Sequence, residues 1–224
     1  MVKYPNAAKG LKMIFFAQIL SIIGAVVTVM ITMSGAVSLS LGTIASGAII
    51  GGIICIVAAL IQIGGIITAK KDELTGGYDK VFILTIVNMV LSIISMFLEK
   101  GTLESVVSLV SNIITYVIFY YMCTTTSTLL RDVGDRENAS RGDSVWNLTK
   151  ICLIITGICV VLLFIPFINL LASLALIVVA VMAIVANILY LIFIYRSANS
   201  LSLIRNKTEE FDFSQYSEKN INNF

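Results

Sequence analysis

The residues that could do chemistry are few, and the most versatile is missing. The chain has no histidine, so the commonest acid–base group and metal ligand are both absent. Charged side chains make up 12% of the sequence, against about a quarter in an ordinary soluble domain, and none falls deep inside a long apolar run. Ionisable groups at membrane depth mark proton and ion pathways. Their absence disfavours transport through a buried carboxylate, and the lack of a basic helix excludes voltage sensing. Intramembrane proteolysis needs a Ser–His pair or two buried aspartates, and the apolar runs hold neither. The acids Asp132, Asp135, Glu137 and Asp143 come nearest to a metal-holding face but do not form the cluster that lipid phosphotransfer uses. Cys55, Cys123, Cys152 and Cys159 form no CxxC pair and have no adjacent base. They read as small packing residues, Cys152 and Cys159 on one helix face, and not as nucleophiles, disulfide partners or metal ligands. The chain therefore reads as a non-enzyme with no cofactor.

What remains is neutral and polar. Gln18, Gln62, Asn88, Asn112 and Asn187 each stand within an apolar run. Such amides join helices by hydrogen bonds worth roughly 0.6–2 kcal/mol each, or line a polar cavity for a neutral solute. At least three facing one lumen is expected of a facilitator, and dispersal to separate helix contacts of a structural protein. The hydroxyl run from Cys123 to Thr128 can satisfy itself by bonding to carbonyls one turn back. Small residues offer surfaces for close helix approach. Gly47, Gly51 and Cys55 recur every fourth residue, with Ala58, Ala59, Gly64 and Gly65 beyond, and Ala180, Ala183 and Ala186 make a second stripe. Packing of the second helix against the sixth is the preferred use, and homodimerisation through the second helix is the other.

The elements that carry these residues follow from hydropathy. With 58% of 224 residues hydrophobic, no soluble fold of this size has interior enough, and the solvent for most of the chain is lipid. A spanning helix needs about 20 apolar residues. Four runs meet this at about 11–33, 44–69, 81–98 and 106–130. The block 151–195 measures about 67 Å as a helix, twice the bilayer core, and must fold back at Pro166-Phe167-Ile168-Asn169, giving helices at 151–166 and 170–195. The first run is too long for a typical signal-peptide core and is read as a retained span.

Charge orients the spans. All fifteen lysines and arginines except Lys100 fall in the N-terminal segment, the second and fourth connections and the tail. Basic residues favour the cytoplasmic side, so the expected fold is all-α, six transmembrane helices in three antiparallel hairpins, with both termini inside. Each hairpin begins with an aromatic residue and a lysine suited to the membrane interface: Tyr4 with Lys12, Tyr78 with Lys80, and Trp146 with Lys150. Topological convergence explains this layout better than internal duplication. The layout resembles mitochondrial carriers in helix number and shared side of the termini. Helices one and three lack the proline that opens that family's motif, and Pro166 is not followed by an acid, so the resemblance is one of architecture and not of descent.

Residues 1–204 read as one six-helix transmembrane domain. Residues 131–150 read as a solvated inner loop with room for one short surface helix, and 205–224 as a polar, disordered cytoplasmic tail. A net charge of +2 implies no nucleic-acid partner. The expected partners are the lipid bilayer and other membrane proteins or a second copy. Abundant Ile and Asn and compact loops suggest a bacterial inner membrane, and the function reads as a structural or accessory subunit, the alternative being a facilitator or binding component for a small, mostly neutral solute.

Overall fold

The computed structural model describes residues 4–37, 41–73, 75–98, 101–162, 165 and 168–221. Their order is α1 (Pro5–Val37), α2 (Leu41–Lys70), α3 (Gly77–Phe97), α4 (Thr102–Asp132), α5 (Arg136–Leu162) and α6 (Asn169–Ile221). All six are long and apolar enough to cross a membrane, and the protein is an all-helical, multi-pass membrane protein. α5 ends and α6 begins on either side of the expected turn, of which Pro166 and Phe167 lie outside the described residues, as do Glu99 and Lys100.

The helices outrun their apolar runs, because a helix that leaves the lipid can continue in water if nothing breaks it. The clearest correction concerns the inner loop expected at 131–150. Only residues 133–135 separate α4 from α5. Gly134 supplies the left-handed turn at φ +86°, and the Asp135 carboxylate accepts the Asn138 N–H at 3.1 Å, capping α5. Glu137 and Arg141 then pair one turn apart on a surface-exposed face. The mixed charges of 136–150 thus decorate a helix that projects beyond the apolar stretch. The α6 backbone likewise stays helical to Ile221, past the end of its hydropathy signal near residue 195. Its polar part has no proline or glycine to stop it.

The chain divides into two compact units. The first comprises Lys3–Thr85 with Ala198–Phe224, and its seam is α1 against α2. Gly10, Ala17 and Gly24 on α1 are buried at seven-residue intervals, as are Gly51, Ala58 and Gly65 on α2. A Cβ on Gly65 would lie 2.8 Å from the Gly10 carbonyl oxygen, and one on Gly24 2.9 Å from Ile54. The Thr28 hydroxyl occupies the place of a Cβ on Gly51, and Ile31 lies against Gly47. The contacts climb α1 as they descend α2, so the two run antiparallel. Gly47 and Gly51 of the α2 stripe are therefore covered by α1, which carries a matching small-residue series at Gly10, Ala17 and Gly24. Cys55, counted in that stripe, is exposed.

Two adjacent acids organise one end of this unit. The Asp72 carboxylate accepts the Asn6 and Ala7 N–H groups, the latter at 2.9 Å, and the Asn6 side-chain amide at 2.7 Å. It thereby caps α1, where Pro5 suits the first helical position. Glu73 does the same for α3, accepting the Gly77 N–H at 2.6 Å and that of Tyr78. Lys70 pairs with Asp79. Tyr4 and Tyr78, expected at the headgroup level, are 7% and 0% exposed. Their rings fill space inside the protein, while Lys12 and Lys80 are exposed.

A Gly65→Val substitution, which overlaps the α1 backbone, is expected to cost about 1–3 kcal/mol. Gly52→Val, whose Cβ meets nothing within 4 Å, is expected to cost less than about 0.5 kcal/mol. Unfolding midpoints of the full-length protein in detergent, across a denaturant series, check both.

Candidate functional site

The second unit, Ile86–Ser197, contains the polar hollow that is the best candidate site. It is built upward from a tight knot. In α4 every buried residue lies between Met122 and Leu130. There the Ser127 hydroxyl donates to the Ala139 carbonyl of α5 at 3.0 Å. Gly142 of α5 lies so close to α4 and α6 that a Cβ would overlap the Ser127 hydroxyl and come 2.6 Å from the Phe193 ring. Arg131 pairs with Asp143 across the same helices. The hydroxyl run of α4 thus serves packing: Thr125, Thr126 and Ser127 are buried, and Thr128 bonds back to Thr124 at 3.0 Å. Val145, Cys152 and Cys159 on α5, and Ala172, Val179, Ala186 and Phe193 on α6, are buried at seven-residue intervals, the repeat of a helix seam.

Next to the knot comes a layer of rings. Tyr120 meets Trp146 with centroids 5.0 Å apart, and Phe119 meets Tyr190 at 4.6 Å. Beyond it the side chains on α5 and α6 become small, and α4 no longer has a buried face. A cavity of about 260 Å³ opens there, lined by Asn112, Thr115, Tyr116, Phe119, Thr149 and Cys152 on α4 and α5 and by Ala183, Ala186 and Asn187 on α6. A second hollow, of about 410 Å³, adjoins it and shares Asn112 and Tyr116. Its remaining walls are apolar or aromatic, among them Leu109, Ile113, Trp146 and Leu153.

The five amides divide between two fates. Gln18 of α1 reaches Gln62 of α2 at 3.5 Å. Asn88 of α3 accepts the Ser111 hydroxyl at 2.6 Å and donates to Thr115 at 3.3 Å, both on α4. These three are interhelical contacts. Asn112 and Asn187 share the cavity, and Asn187 also donates to its own Ala183 carbonyl at 2.9 Å. Two amides on one lumen fall short of the three expected of a facilitator. Of the small stripe on α6, Ala186 is buried, Ala183 lines the cavity and Ala180 is exposed. Residues three apart drift around a helix, whereas the buried line repeats every seventh. Trp146 is half-buried against Tyr120, and Lys150 is exposed.

Thr115, Tyr116 and Thr149 were not singled out from the sequence. The available signal was the stripe Asn112, Thr115, Tyr116, Phe119, with i, i+3, i+4, i+7 spacing, in which polar and aromatic residues share a helix face. The lining carries no carboxylate, lysine or arginine, and among the described residues no three Cys, Asp or Glu side chains gather as a metal site would require. The hollow can hold an uncharged guest by hydrogen bonds and contact.

A double-mutant cycle separates the two fates. Asn88→Leu and Ser111→Ala are expected to be coupled by about 0.6 kcal/mol or more, whereas Asn88→Leu and Asn112→Leu are expected to add independently. Unfolding free energies in micelles check this.

The chain matches no protein-family model, no curated protein and no solved structure.

Proposed function

We propose that this is a non-enzymatic protein of the cell membrane, a structural or accessory subunit whose helices form three antiparallel hairpins with both termini cytoplasmic. Its chemistry is that of assembly. The observation that carries this reading is the use of polar groups between helices: Gln18 with Gln62, Asn88 with Ser111 and Thr115, and Ser127 with Ala139 all join one helix to another. The exposed apolar side chains of the spans, such as Ile53, Leu60, Val178 and Ile184, suit lipid or a neighbouring membrane protein. The orientation rests on the basic residues, all but Lys100 of which fall in segments assigned to one side. Abundant isoleucine and asparagine and compact loops favour a bacterial inner membrane.

A second reading, a binding component for a small neutral solute, is supported by the α4–α6 cavity with its uncharged polar lining.

Single cysteines placed in a variant without the four native ones test the topology. At Glu104 a membrane-impermeant maleimide is expected to label intact cells, and at Lys71 or Glu137 only after lysis; the reverse pattern overturns the orientation. Purification from native membranes in mild detergent tests the accessory role. A fixed-stoichiometry membrane partner, recovered again when the partner carries the tag, is expected. A protein that always runs alone overturns it.

A further inference from the structure

We propose that the two adjoining hollows beside α4 form one binding site for a single-chain amphiphile with an uncharged, hydrogen-bonding head. The head sits in the cavity and the chain lies along the groove. This inference rests on the second reading above.

The head position follows from the hydrogen-bond inventory. The Asn112 side chain is exposed and makes no hydrogen bond among the described residues, although it lies about 15 Å along α4 from Thr102. An amide at that depth lacks water, and leaving it unsatisfied is costly. Asn187 spends one amide hydrogen on Ala183 and Thr149 donates its hydroxyl to Val145 at 2.9 Å, so both keep acceptor capacity facing the cavity. A guest carrying hydroxyls can donate to these acceptors and accept from Asn112. A charged head would meet no counter-charge in the lining, and the cost of dehydrating it would go uncompensated.

The chain position follows from the shared wall. Asn112 and Tyr116 belong to both hollows, and past them the lining turns apolar. Leu109 and Ile113 are 60% and 54% exposed, so the groove opens sideways toward lipid. A guest can enter from the bilayer with its chain in hydrocarbon throughout. The two volumes, about 260 and 410 Å³, together fall within the ~300–1,000 Å³ of small-molecule sites. A phospholipid, with two chains and a charged head, fits neither part.

Trp146, the one tryptophan in the chain, lines the groove and reports its occupancy. The full-length protein in nanodiscs of unbrominated phosphatidylcholine is titrated with a 1-monoacylglycerol brominated in mid-chain. Saturable quenching of Trp146 at low mole fraction is expected. Asn112→Leu, a change at an exposed position, is expected to weaken it at least tenfold, and Ala183→Leu, which fills the cavity, to abolish it. Equal quenching by brominated phosphatidylcholine, or no effect of either variant, overturns the proposal as bulk-lipid contact. Equally tight quenching by a brominated fatty acid anion overturns the uncharged head. Glycerol and propane-1,2-diol, tested by calorimetry on the same samples, separate the two readings. If they bind in a manner sensitive to Ala183→Leu while the monoacylglycerol does not, the amphiphile falls and the solute reading stands. If nothing binds, both fall.

Discussion

Close approach of helix backbones is the interaction on which this protein depends. In water, a helix pair is driven together by its apolar faces. In lipid that drive vanishes, because the surrounding tails are as apolar as leucine, and association falls to van der Waals contact and interhelical hydrogen bonds. Both improve steeply as backbones approach. The α1–α2 seam achieves this with Gly10 against Gly65, and Gly24 and Thr28 against the turn around Gly51. The α4–α5–α6 knot achieves it with Gly142, whose missing side chain admits both the Ser127 hydroxyl and the Phe193 ring. In each case buried residues recur every seventh position, small throughout in the α1–α2 seam, keeping one face toward its neighbour over several turns.

Helix ends pose a second constraint, since unpaired N–H groups near lipid are costly. The α2–α3 connection meets it with two consecutive carboxylates serving two different helices, Asp72 for α1 and Glu73 for α3. Asp135 serves α5 in the same way. These acids sit among the lysines and arginines that set the charge bias. A charge count treats the connections as basic, while the acidic minority does the local structural work.

The candidate site is where close packing lapses. Near the knot, Phe193, Tyr190 and Phe119 fill the interior of the α4–α6 unit. Farther along, Cys152, Ala183 and Ala186 supply small side chains, and a void remains. Its polar fringe comes from Asn112, Thr115, Thr149 and Asn187, residues from three helices that no linear motif connects.

The sequence by itself determined the class of protein. Six runs of apolar residues leave lipid as the only adequate solvent, and all six appear as helices. Helix ends were less legible: hydropathy reports where lipid stops, and a helix stops where capping or glycine makes it, so residues 136–150 joined α5. Pairing was not legible. The stripe at Gly47 and Gly51 announced a close contact, but any helix with a matching series could have supplied the partner, and only the fold chose α1. Tyr4 and Tyr78 look like interface anchors by residue type, and their burial depends on neighbours far along the chain. The five amides were visible as polar groups in apolar runs. That three of them join helices while Asn112 and Asn187 share a cavity was decided by helix rotation and register, quantities that exist only once the helices have packed.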